Sequence, residues 1–488
     1  MAQRARLTPP RPTRRDWPWH DVESLSLRAS LLFGGDRRME AANFLAEGFG
    51  VRLAIESRAR GWERLSSVAR TWQPSRLKGI QVGPDTGTPF LTATQVYDVR
   101  PVPRKWLALS QTSNYAERFL EEGTIVVSCS GSVGRATLAH STVAGVLVSH
   151  DLLRVDPNDG SWWGWLYAYL RAPTVRNIMK AAQYGHIIKH LETHHLDALP
   201  VLQVDEESRA SFGLVARRIL DKRNRAYALT LEAEQQFAAA FGDIDIDVEN
   251  FGEAGFAARA RRTLATSRRR FDAWHHNPAV KAIREHLSKR AAGWSSIGAD
   301  FDVWLPTRFR RVAANDGVFL LDSSSLFKVN PDVTKRIADR DFGDPHNGRV
   351  TSGWILMSRS GQIYGLIGSA MIAGRRHEGK IVSDDVIRIA PRQTTCRVGY
   401  LLMAICHPKL GRQRTKTLPY GSSIPHIEVD DVRCFEIPRL DAGLEGEIAD
   451  QVEEAARLQD EADELETELA DSAEAVVAEF LTRRAPSG

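Results

Sequence analysis

Two long stretches of the chain carry a narrow apolar stripe on a charged background. Across 205–240, Phe212, Val215, Ile219, Ala226, Leu229, Ala233 and Phe237 recur at spacings close to three and four residues. Across 443–481, Ile448, Ala455, Leu458, Ala462, Leu465, Leu469, Val476 and Phe480 do so more cleanly. A stripe this narrow is a coiled-coil seam, because an apolar face of limited width buries itself best against a matching helix. At about 1.5 Å per residue, each helix is expected to be roughly 50 Å long. The two are natural partners, antiparallel across a pseudo-twofold axis.

Ahead of each helix the pattern changes to short apolar runs closed by Ser and Gly. TIVVSCSG (124–131) and GWILMSRSG (353–361) predict strands running into turns, and GVLVSHDLLRV (145–155) and KIVSDDVIRIA (380–390) predict further strands. The stretches 164–182 and 399–414 predict helices, each broken by a proline.

These elements recur in one order. Arg38 to Ala41 is echoed by Arg270 to Ala273, and Trp62 by Trp294, both 232 residues on. Gly87 to Leu91 and SCSGSVGR (128–135) return 230 residues later, the latter as SRSGQIYG (358–365). SHDLLRVDP (149–157) returns as SDDVIRIAP (383–391) at 234. YGHIIKHLETHHLDALPVL (184–202) returns from Tyr420 at 236, and Pro200 is matched with Pro438 at 238. An offset that drifts while the order holds marks a tandem domain duplication with small loop insertions. The fold class predicted is α+β: a small mixed α/β domain, twice, each followed by a long helix, with the two helices forming an antiparallel coiled coil.

At 488 residues, with 43% hydrophobic and 26% charged residues, the chain has room for two or more soluble domains. No apolar run is long enough for a transmembrane helix. The first residues are basic and Pro-rich without an apolar core, so a secretory signal is not expected and a disordered arm is. Cys129, Cys396, Cys406 and Cys434 form no CxxC pair, which suits a reducing cytoplasm without disulfides or a zinc knuckle. The net charge of +4 hides an asymmetry. Residues 441–480 hold 15 acidic residues and one basic residue, Arg457, so the remainder has 64 basic against 46 acidic residues. A basic body with an acidic end points to a polyanion partner for the body.

The candidate contact residues lie at the Ser/Gly turns. Ser128, Ser130, Ser132 and Arg135 surround one turn, and Ser358, Arg359, Ser360 and Gln362 the other. Small residues let backbone N–H groups approach phosphate, while Arg or Gln can reach a base edge. Lys189, His190 and His426 join them from the duplicated segment, and Arg104, Lys105, Arg376 and Lys380 as phosphate contacts. Further basic groups stand at Arg100, at Arg308, Arg310 and Arg311, and at Arg412, Arg414 and Lys416. His186, His190, His194 and His195 have helical metal-site spacing, but only His190 persists in the second copy, so no metal is expected. Glu378 and Lys380 have the acidic-x-Lys spacing of metal-dependent nucleases, without a counterpart in the other copy. No phosphate-binding loop and no amino-methyltransferase motif is present. Trp163 gives way to Val398, which favours packing for Trp162, Trp163 and Trp165 over base stacking.

The strand and turn EGTIVVSCSGSVGRA, the later SHDLLRVDP, the G-x-x-I-x-H-L segment from Gly185 to Leu191 and its close at Leu199 to Val201 together resemble the specificity (S) subunit of Type I restriction–modification systems. The likeness runs over roughly 38–483, with RFDAWHHNP (270–278) resembling a leading segment of some S-like subunits; the second copy is the looser match. The resemblance implies a phage-defence protein without catalysis of its own. Its first target-recognition domain spans 25–203, after the 1–24 arm, with a spacer helix at 204–241. The second spans 242–441, with a second helix and tail at 442–488. Each domain reads one half of a bipartite, asymmetric site in double-stranded DNA. Two methyltransferase (M) subunits and the restriction/translocase (R) subunits dock on it in the cytoplasm, and S-adenosylmethionine, Mg and ATP belong to those partners, none being bound directly. A ~50 Å spacer is about one and a half turns of B-DNA. Two other classes stay open: a stand-alone DNA-binding adaptor or regulator, and a nuclease using Glu378 and Lys380.

Overall fold

The computed structural model describes residues 4–6, 23–25, 27–33, 41–76, 79–109, 115–183, 189–246, 257, 259–261, 270–338, 348–362, 365–392, 396–421 and 423–483. The chain divides into two compact units, one of residues 1–97, 101–221 and 465–488, the other of 98–100 and 222–464. Of the expected basic arm, Arg4–Arg6 pairs antiparallel with Glu23–Leu25. Residues 1–3 and 7–22 lie outside the described residues.

In the first unit an antiparallel sheet runs in the order Ala69–Trp72, Leu152–Pro157, Ile125–Ser128, Ala136–Leu138. Its central strands are buried on both faces, which is why they read as continuous apolar runs. The second unit repeats it as Phe301–Trp304, Val386–Pro391, Ile355–Ser358, Ala370–Ile372. The registers coincide once the drifting offset is allowed for. Arg154 lies opposite Trp72 as Arg388 lies opposite Trp304. Leu152 faces Ser128 as Val386 faces Ser358. Val148 pairs parallel with Leu91 as Val382 does with Leu321. The duplication is therefore one of architecture, down to single hydrogen-bonded pairs.

Three details differ from the reading of the sequence. The 145–155 and 380–390 stretches are each two strands, because the Ser-x-Asp between them turns the chain into another sheet. The second Ser/Gly turn is four residues longer than the first: Ser128 N–H donates to Arg135 O, but Ser358 N–H donates to Ser369 O, both at 2.9 Å. Ser369, not Gly365, thus stands where Arg135 does. Finally, Leu202 pairs with Trp62 and Pro438 with Trp294. Pro438 therefore occupies the place of Leu202, because the tryptophan ladder, and not the proline, fixes the register.

Each predicted helix breaks where a proline forces the preceding residue into an extended conformation. Ala172 (ψ 130°) precedes Pro173, and His407 (ψ 127°) precedes Pro408. His407 is only 6% exposed. Its Nδ1 accepts the Leu410 N–H at 3.2 Å, its Nε2 lies 3.2 Å from Glu234 O, and its ring packs 5.3 Å from that of Phe237. One nitrogen accepting and the other donating describes neutral imidazole, and burial pushes its pKa down to about 4. The unfolded chain takes up a proton near pH 6.5 that the folded unit refuses, so stability is lost as pH falls from 6.5 towards 4. Acidification through that window is expected to cost the second unit about 2–3 kcal/mol at this site. His407→Gln is expected to flatten the dependence of the denaturation midpoint on pH; an unchanged slope would assign the acid sensitivity elsewhere.

The two long helices are α1, Glu206–Phe241, and α2, Ala442–Thr482. Within the second unit they run antiparallel: Lys222 pairs with Glu461, Arg223 with Asp463, and Gln236 with Glu447. Ala226, Leu229, Ala455 and Leu458 form the seam between them. Further along, Phe237, Phe241 and Ile448 join the core of the second lobe around Tyr400 and Leu401. In the first unit the far end of α2 closes on the first lobe, where Tyr167 Oη donates to Glu466 and Thr174 N–H donates to Glu474 Oε2 at 2.9 Å.

Candidate nucleic-acid interface

In the first lobe, the strand Ile125–Ser128 delivers the chain into the first turn. Ser128 is buried, its Oγ donating to Ser132 O and accepting the Arg135 N–H at 3.0 Å. Gly131 and Ser132 are left exposed at the tip. Ser130 forms an isolated antiparallel bridge with His190, and its Oγ lies 2.8 Å from His190 Nδ1. Leu191 N–H donates to Cys129 O at 2.9 Å, so the duplicated segment is stitched to the turn from its far side. The Arg135 guanidinium lies over the Tyr97 ring at 4.1 Å, and Tyr97 Oη donates to Arg135 O at 2.6 Å. Burial pushes the Tyr97 phenol up, so it remains a neutral donor. Behind the turn the Cys129 thiol, pushed up to about 11 by burial, is a packed thiol and not a nucleophile.

The second lobe repeats the arrangement. Ser358 is fully buried, and Ser360 bridges His426 as Ser130 bridges His190. Ile427 N–H donates to Arg359 O at 2.9 Å, matching Leu191 and Cys129. The electrostatics differ. Arg359 lies between Asp385 at 3.5 Å and Glu428 at 3.4 Å, and Ser360 Oγ donates to Asp385 at 2.8 Å. His426 Nε2 sits 3.1 Å from Glu428, which also accepts from Tyr420 Oη at 2.7 Å. The second turn is thus buttressed by two carboxylates, where the first uses a serine–histidine contact and an arginine–tyrosine stack.

Other candidates fall elsewhere. Lys189, Arg104, Lys105 and Gln362 are exposed, Arg104 and Lys105 at the start of the strand Lys105–Ala108. Arg376 faces Asp460 at 3.4 Å and Asp463 at 2.5 Å, and Lys380 follows it in chain, exposed. Arg100 pairs with Glu234 and Arg311 with Asp384, while Arg414 is buried. Glu378 accepts the Ser352 N–H at 2.6 Å within a turn. Trp165 is fully buried and donates to Leu202 O at 2.9 Å; Trp163 donates to Gly123 O at 2.8 Å. His194 and His195 stack at 4.0 Å on the short helix Thr193–Asp197, and His186 lies outside the described residues. Among the described residues no three His, Cys, Asp or Glu side chains converge as a metal-binding group, and no helix is long and apolar enough to cross a membrane. Tyr97, Asp385 and Glu428 shape these turns without having stood out in the sequence. The quoted repeat of Ser149-His150-Asp151 as Ser383-Asp384-Asp385 held the signal for Asp385, and Glu192, 236 residues earlier in the duplicated segment, held it for Glu428.

No protein-family model matches the chain, and no curated protein matches it. Solved structures similar to it include the S subunit of a Type I restriction–modification system from M. genitalium, at 12% identity, with 88% of this chain and 96% of that one covered and a TM-score of 0.26. The HsdS subunit from Thermoanaerobacter tengcongensis is similar at 14% identity, over 87% of this chain and 97% of that one, with a TM-score of 0.26. A type IIG restriction endonuclease, BpuSI, is similar over 40% of this chain and 30% of its own, at 12% identity and a TM-score of 0.29. The structural neighbours that span most of the chain are Type I restriction–modification S subunits, at low identity and low TM-score.

Proposed function

We propose that the chain is the DNA sequence-recognition subunit of a Type I or Type I-like restriction–modification system, without catalysis of its own. One observation carries the reading: the same Ser/Gly turn, pinned by the same serine–histidine bridge, is built twice in one chain, each time in a lobe followed by a long helix. A protein that reads a bipartite site needs two readers and a spacer. The two turns differ in their electrostatics, which suits two unlike half-sites. Ser130, Ser132, Arg135, Lys189 and His190 contact one half, and Ser360, Arg359, Gln362 and His426 the other. Buried Ser128 and Ser358 shape the turns, and Arg104, Lys105 and Lys380 contribute to the positive field that draws the duplex in, whereas the charge of Arg376 is compensated by Asp460 and Asp463. The recognition domains span 25–203 and 242–441, and 1–24 is a basic arm beside them. Two M subunits carrying S-adenosylmethionine, and R subunits using ATP and Mg, dock on the scaffold.

Methylome sequencing of a host carrying the locus tests the whole reading. A split motif with unlike halves is expected, and its loss on deletion of this chain. Methylation that persists unchanged in the deletion strain defeats the reading. The spacer role has its own test. A matched heptad inserted into α1 and α2 adds roughly 10 Å. The gap between half-sites is then expected to grow by about three base pairs with both halves unchanged; a fixed gap removes the ruler.

A further inference from the structure

Between Tyr184 and His190 and between Tyr420 and His426 four positions hold the same residue: Tyr, Gly, Ile and His. In the second copy three of the four have visible structural tasks. Tyr420 stacks on His426 at 4.5 Å and donates to Glu428. Gly421 sits at φ +110°, a conformation side chains rarely adopt. Tyr420 and His426 exchange backbone hydrogen bonds at 3.0 and 2.9 Å, closing the loop. The fourth, Ile424, has none: it is 69% exposed. Its neighbours change freely between copies, from His186, Ile187 and Lys189 to Ser422, Ser423 and Pro425, while the isoleucine stays. Ile188, its counterpart, lies outside the described residues.

A single exposed apolar residue is ordinary on a protein surface. Ile424 differs in where it is held. Pro425 beside it is buried, and Pro425 O accepts the Gly361 N–H at 3.2 Å, so the loop is tied to the Ser/Gly turn that carries Ser360 and Gln362. An isoleucine that is 69% exposed is thereby held next to groups that donate and accept. In the major groove, base edges present donors, acceptors and one apolar feature, the C5-methyl group of thymine.

Resting on the DNA-reading role proposed above, we infer that Ile424 reads a 5-methylpyrimidine, thymine or 5-methylcytosine, in the half-site of the second lobe. The polar side chains of the turn read hydrogen-bonding edges, and Ile424 covers the methyl group beside them.

The test uses the full-length protein purified from its own host with the subunits it holds, and a pool of random duplexes from which it selects a site. The selected duplex is resynthesised with deoxyuridine replacing each thymine in turn, and with 5-methyldeoxycytidine replacing each cytidine. One thymine in one half is expected where loss of the methyl weakens wild-type binding about fourfold, the worth of one buried methyl group. Ile424→Ala is expected to bind the parent duplex about fourfold or more weakly and to be indifferent to that substitution, while Ile424→Leu keeps part of the discrimination. If a cytidine stands there instead, its methylation strengthens wild-type binding and leaves Ile424→Ala unmoved, which assigns the methyl to 5-methylcytosine. Equal responses of wild type and Ile424→Ala at every position overturn the inference while leaving DNA reading intact. A pool that never enriches overturns the DNA reading and this inference with it.

Discussion

Replacing Asp463 with alanine is expected to destabilise the second unit by about 3–5 kcal/mol. Asp463 is 3% exposed and Arg223 2% exposed, so this ion pair is screened by neither water nor salt. Its Oδ1 accepts Arg223 Nη2 at 2.6 Å and the Asn330 N–H at 3.0 Å, and its Oδ2 accepts Arg376 Nη2 at 2.5 Å. Burial raises the pKa of neighbouring Asp460, which is therefore a poor substitute for the lost charge. Removing this carboxylate takes an acceptor from two guanidinium groups and a backbone donor at once, leaving Arg376 to Asp460 and Arg223 to the neutral amide of Gln459, and it is that lost compensation that costs. A two-unit protein is not expected to unfold in one step, so the measurement is calorimetric, with only the second unit's transition moving. Replacing Asp463, Arg223 and Arg376 together with apolar residues of similar size is expected to recover much of the loss. A loss under about 1 kcal/mol for Asp463→Ala would place the pair among ordinary surface bridges, like Arg457 with Glu454 and Glu461 on the same helix.

Gly399→Leu, and its twin Gly164→Leu, are expected to be nearly as damaging. A Cβ on Gly399 would stand 2.5 Å from Ala449 O on α2, and one on Gly164 2.3 Å from the Cα of Gly213 on α1. The obstacles are backbone atoms of a helix, so no rotamer change relieves the clash and lobe and helix must part. About 3 kcal/mol or more is expected for each, lowering the melting temperature of the affected unit by roughly 6–12 °C. Gly446→Ala, where a Cβ meets open space, is the control and is expected to change little. If the Gly399 and control variants melt together, close approach is not what holds lobe to helix.

Much of this architecture is written locally. The buried central strands announce themselves as apolar runs, the helix breaks as prolines, and the helical seam as a heptad. Repetition supplied the rest, because a weak pattern found twice in order is strong. Two alignments went astray for the same reason. Residue identity pairs Pro438 with Pro200, and an ungapped run pairs Arg135 with Gly365, whereas hydrogen-bonding register decides equivalence. The buried charges were illegible: Arg223 and Asp463 read as a solvated helix face, since their partners Asn330 and Arg376 stand far away in sequence. At the turns, Ser130 and His190 are 60 residues apart and meet, as Ser360 and His426 do. Only comparison of the copies hinted at it, by discarding three histidines and keeping one.

The division of the chain also bears on the order in which it is made. Apart from 98–100, the second unit is one uninterrupted stretch, 222–464, and is complete once that stretch has left the ribosome. The first unit is not, although most of it is synthesised earlier: it waits for 465–488. Until then Tyr167 and Thr174 lack Glu466 and Glu474, and Phe480 has not arrived against Arg58 and Gly61. The lobe translated first therefore matures last, and a chain truncated after residue 464 would hold a finished second lobe and an unfinished first one.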